Sequence, residues 1–89
     1  MEEKFIAAFE RSRVEAEKLG ARMRPMDVKG AKRILSGSRT SDGFNVLAAK
    51  GRLDLSLEAL VVDKRFTALF SDEEANEALD RLLSSGYKF

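Results

Sequence analysis

Between residues 22 and 39 the chain sets Arg22, Arg24, Lys29, Lys32, Arg33 and Arg39 against one acid, Asp27. A run of cations on a short helix and its flanking loops can track a row of phosphates, displacing counterions and making binding fall with salt. The same side chains also suit a solvated helix face whose charges pair within the fold, the common state of Lys and Arg. At the end of this run, Gly37-Ser38-Arg39-Thr40-Ser41 offers hydroxyls, an Arg and free N–H groups just before an expected helix. Such a loop could hold a phosphate or sulfate, but an ordinary helix start needs the same residues. No Gly-Lys-Ser/Thr follows, so it is not a nucleotide-binding loop of the Walker type.

The carboxylates Glu73, Glu77 and Asp80 share a face of the last expected helix, with Glu74 beside them. Oxygen ligands at that spacing could hold a hard cation or act as acid and base. They equally make a solvated acidic face, with Glu77 reaching Arg81 at i+4 and the first-turn acids matching the helix dipole. The same solvated reading is taken for Asp54, Glu58 and Asp63. The chain has no His and no Cys. Disulfides, thiol nucleophiles, thiolate metal sites, serine triads and His-based zinc sites are therefore excluded as single-chain constellations. From this we expect no enzyme, no catalytic residue, no metal and no cofactor.

Two further recognition modes fit poorly. Short helices around Gly51 loosely match a helix-turn-helix, but the second would carry Asp54, Glu58 and Asp63 toward phosphates, which is repulsive. A basic amphipathic helix could lie on an anionic membrane, but residues 28–35 are few and have no Trp or Phe on the apolar side. Nor does any apolar run approach the roughly 20 residues that span a bilayer.

The elements that must hold these residues read as helices. Over residues 2–19, Phe5, Phe9, Ala16, Leu19, Ala8 and Ser12 fall on one face, and Gly20 is placed to end the helix. The segment with the only Pro, residues 21–26, is a connection. Asp27 is an N-cap for a helix to about Leu35, with Val28, Ala31, Ile34 and Leu35 on its apolar side. Thr40 or Ser41 would cap a third helix bearing Phe44, Leu47 and Ala48 and ending at Gly51. Leu53–Val62 alternates apolar and polar residues at first, as a strand does, yet no second strand is present to pair with it. We expect one mostly apolar, central helix there, with Asp54 able to cap it. Residues 64–70 form a short turn that buries two aromatics. Ser71-Asp72-Glu73-Glu74 has the form of a capping box, opening a helix to about residue 85 that turns Ala75, Ala78, Leu79, Leu82 and Leu83 to the core and stops at Gly86. The Phe residues 5, 9, 44, 66 and 70 are read as core.

Eighty-nine residues suffice for one domain, and Leu, Ile, Val and Phe make up 24 of them, enough for a folded core. The expectation is an all-α fold: a single small domain, 1–89, of five or six short helices with the longest at the two ends. The net charge of +1 conceals a basic middle, +6 over residues 20–52, between net −1 before it and −4 after it. A domain this small gains stability by association, and opposed charge blocks can pair between subunits. The expected function is a small non-enzymatic interaction module acting through protein–protein binding, with itself as homodimer partner first. Nucleic-acid binding through residues 22–39 is the alternative, and no membrane is involved. The N-terminal residues have no basic and apolar stretch of a secretory signal, so the expected location is the cytoplasm.

Overall fold

A computed structural model describes residues 2–37 and 42–87 of the chain. Its helices are α1 (Glu2–Lys18), α2 (Val28–Ser36), α3 (Asp42–Ala49), α4 (Leu57–Val61) and α5 (Asp72–Ser84), with 3₁₀ turns at Leu53–Leu55 and Thr67–Leu69. No strand occurs among the described residues, and the longest helices stand at the two ends, α1 with 17 residues and α5 with 13.

Three helices end in the same way, and the reason is local. Gly20, Gly51 and Gly86 take φ of 90°, 69° and 84°, a left-handed conformation that costs glycine nothing. At each, the next residue's N–H reaches back to the helix: Ala21 to the Ala16 carbonyl, Arg52 to Leu47 and Tyr87 to Leu82, all at 2.9 Å. These are Schellman closures, which satisfy carbonyls that the helix leaves free. The starts are equally local. The Asp27 carboxylate accepts from the Gly30 N–H at 2.9 Å. Ser71 Oγ accepts from the Glu74 N–H at 3.1 Å, and the Glu74 carboxylate accepts from the Ser71 N–H at 2.7 Å, completing the capping box. The Thr40 or Ser41 cap lies outside the described residues.

The expected helix over 53–62 needs correction. It is broken at Ser56 into a 3₁₀ turn and the five-residue α4. Ser56, fully buried, donates from Oγ to the Leu53 carbonyl at 2.6 Å and accepts from the Ala59 N–H at 3.2 Å. It thus closes one turn and opens the next, while Asp54 pairs with Arg52 in solvent instead of capping. A serine that can satisfy both ends makes a break cheaper than a continuous helix.

Segment 53–61 is nonetheless the centre, and α4 packs chiefly against α5. One core cluster gathers Phe5, Phe9, Phe66 and Phe70 with Leu57, Leu60 and Val61; Phe5 meets the rings of Phe66 and Phe70 edge-on at 5.5 and 5.4 Å. A second gathers Phe44, Leu47, Leu53 and Leu82. Met23 and Val62 pack against both. All five Phe read as core are buried. Leu83 is not: it is 55% exposed, because the apolar stripe of α5 runs through Ala78 and Leu82 with Arg81 beside it.

Candidate functional site

The cations expected to act together come from two elements. Arg22 and Arg24 lie on the 21–27 connection, and Lys29 and Arg33 lie one turn apart on α2. All four are exposed, and none makes an ion pair with another described residue. Lys32 is held differently. Its Nζ donates to Glu74 at 2.9 Å and stands 5.5 Å above the Phe70 ring, so it ties α2 to the N-terminus of α5. The Glu74 carboxyl is pushed up by burial, but the Ser71 N–H and Lys32 together hold it below the ordinary carboxylate range. Arg39 lies outside the described residues.

Beside Arg22 and Arg24, the connection meets α2, α3 and the start of α4 around a cleft of about 240 Å³. Phe9, Phe44 and Leu57 supply its buried part, and Met23, Met26 and Ile34 stand half-buried along it. The cleft sits over the seam between the two core clusters, which Met23 bridges. Its shape depends on Gly43. A Cβ there would lie 2.8 Å from Met23 Cγ and 3.0 Å from the Arg22 carbonyl oxygen, so a side chain would force the connection off the first turn of α3.

Charge around the cleft is uneven. Arg22 and Arg24 line it together with Asp42 and Glu58. Glu58, read from sequence as solvated, is corrected to a buried group, 2% exposed. Burial pushes its carboxyl above the ordinary range, against the pull of Arg81. Arg81 Nη1 donates to Glu58 Oε2 at 3.2 Å, Nε donates to Glu77 at 2.9 Å, and Nη2 donates to the carbonyls of Gly37 at 2.8 Å and Ile34 at 3.3 Å. One guanidinium thus neutralises a buried acid and satisfies the carbonyl end of α2. With Glu58 balanced internally, the outer charges of the cleft are two arginines and one aspartate.

The α5 carboxylates are dispersed among other tasks. Glu74 serves the capping box and Lys32, and Glu77 serves Arg81. Among the described residues no group of three or more His, Cys, Asp or Glu is placed to hold a metal ion. A wider groove of about 1060 Å³ runs between α1 and α4, with Ala7, Ala8 and Ser12 along it and Lys4 and Arg11 at its side. Leu60, Phe66 and Tyr87 line it as well, together with Asp54, Asp63 and Arg65, so its walls mix apolar and charged side chains of both signs.

The Glu58–Arg81 pair is what residue-level reading overlooked. Its signal was present: a carboxylate inside an otherwise apolar run must find a partner, and Arg81 falls beside the apolar stripe of α5. No family model, curated protein or solved structure matches the chain. Among the described residues no helix is long and apolar enough to cross a membrane.

Proposed function

We propose that this chain is a small, non-enzymatic interaction module of the cytoplasm that binds polypeptide, a second copy of itself included. The observation that carries this reading is the cleft: half-buried Met23, Met26 and Ile34 lead to buried aromatics at the seam of the core. Binding energy at protein interfaces concentrates where an anchor side chain fills such a pocket, and flexible methionines adapt to the anchor they receive. Exposed Ile6, Val14 and Leu83 add apolar surface that association could cover. The test is light scattering on the intact chain together with its methionine methyl resonances over a concentration series. Self-association gives a mass near twice 9.9 kDa, with Met23 and Met26 shifting as it forms. A monomer at every concentration removes the homodimer and leaves a different polypeptide as the partner.

One observation favours nucleic acid as a second reading: Arg22, Arg24, Lys29 and Arg33 have no carboxylate partner among the described residues. Retardation of a generic duplex or RNA that weakens steeply with salt would support it. Reversal of Lys29 and Arg33 to Glu should then abolish the shift, and it spares Lys32, whose ion pair belongs to the fold.

A further inference from the structure

A cleft of about 240 Å³ is small for a whole ligand and generous for one side chain. Drug-sized sites span roughly 300–1,000 Å³, while a cavity of about 150 Å³ already accepts benzene. The space therefore suits a single Phe, Leu or Met side chain of a partner, seated between Met23, Met26 and Ile34 over Phe9, Phe44 and Leu57. Residues flanking that anchor must run past the mouth of the cleft. There they meet Arg22 and Arg24, both exposed and unpaired among the described residues, on the connection that forms one wall. Asp42 stands at the first turn of α3, on another wall. Lys29 and Arg33 do not line the cleft but leave the exposed face of α2 positive, and Asp27 is occupied by its cap to Gly30.

Resting on the reading of the cleft as a polypeptide site, we propose that its occupant is an acidic segment of a partner protein. That segment inserts one large apolar side chain and lays its carboxylates along Arg22 and Arg24. Complementary charge sets orientation and speeds encounter, and the apolar anchor supplies most of the affinity. Asp42 then acts against wrong registers, because a carboxylate placed on the α3 side is repelled.

The probes are three blocked nine-residue peptides: a central Phe flanked by Glu, the same Phe flanked by Lys, and a central Ala flanked by Glu. Each is titrated into the full chain carrying ¹³C-labelled methionine methyls. The acidic Phe peptide should shift the Met23 and Met26 methyls saturably, and the other two should bind at least tenfold more weakly. Arg22→Ala with Arg24→Ala should weaken the acidic peptide about tenfold and flatten its salt dependence, with helical circular dichroism unchanged. Asp42→Asn should tighten it. Equal or better binding of the Lys-flanked peptide at the same methyls overturns the acidic partner while leaving the cleft a polypeptide site. If no peptide moves those methyls and they do not shift with protein concentration either, both readings fall. If the methyls shift with protein concentration alone and no peptide competes, a second copy is the occupant and the proposal is overturned.

Discussion

Arg81 shows how one side chain can decide a region. Its guanidinium, 6% exposed, faces Glu58, Glu77 and two carbonyls at the end of α2. A buried pair of this kind adds little over an apolar substitute, but removing one partner strands the other in the core. Arg81→Met, which keeps the length of the side chain, is expected to cost about 3–5 kcal/mol near neutral pH. The pH dependence follows from the direction of the Glu58 shift. Burial raises its folded-state pKa above the unfolded value, so the native state takes up the proton first, and more readily without Arg81. Stability linked to Glu58 is therefore full below the pKa of the unfolded carboxyl and lost as pH rises through the raised folded-state value. Urea denaturation should show the deficit of Arg81→Met narrowing from about pH 7 to about pH 5, where carboxylates begin to protonate. A deficit that stays constant or widens would mean that Glu58 is not the stranded group.

The short elements depend on their caps, because five residues of α4 cannot sustain a helix by propensity alone. Ser56 and Ser71 both cap, but Ser56 is buried and serves the preceding turn as well. Ser56→Ala should cost about 2 kcal/mol, since it leaves the buried turn's Ala59 N–H without its side-chain acceptor and the Leu53 carbonyl with only the residue-56 backbone N–H, while Ser71→Ala should cost about 1 kcal/mol. Asp54→Ala should change stability by less than about 0.5 kcal/mol, since its pair with Arg52 is solvent-exposed. Thermal denaturation of the three variants checks the order, and a larger loss for Asp54→Ala than for Ser56→Ala would contradict the break at Ser56. The capping box was legible from Ser71 and Glu74, three residues apart at the helix start. Its second task was not: the same Glu74 carboxylate receives Lys32, 42 residues away in sequence.

Two core clusters meet through Met23 and Val62 within a body of 29 × 25 × 23 Å. Shared side chains of this kind couple the halves, so the chain is expected to melt in one step. Leu82→Ala, at a fully buried position of the second cluster, should cost about 2–5 kcal/mol. The methyl signals of Ile34, beside the first cluster, and Leu47, within the second, should vanish at the same lowered temperature. Separate transitions for the two methyls would show that the clusters unfold independently. The cleft belongs to this scale too. It exists because the connection crosses the seam between the clusters where Gly43 lets it approach, and no local pattern around Arg22 or Met23 announces that.

The sequence by itself determined what depends on a few neighbouring residues. Helix ends at Gly20, Gly51 and Gly86, the caps at Asp27 and Ser71, and burial of Phe5, Phe9, Phe44, Phe66 and Phe70 all follow from backbone sterics, hydrogen-bond demand and apolar periodicity within a turn or two. Tertiary structure alone decided which charges are free. Lys32 and Lys29 are both cations on one short helix, yet among the described residues only Lys32 of the two meets a carboxylate; Glu58 and Asp54 are both acids in one apolar run, yet only Glu58 is buried. Those distinctions arise from where α5 lies against α2 and α4, because Coulombic and desolvation energies depend on distance and on surrounding dielectric, which separation along the chain does not encode.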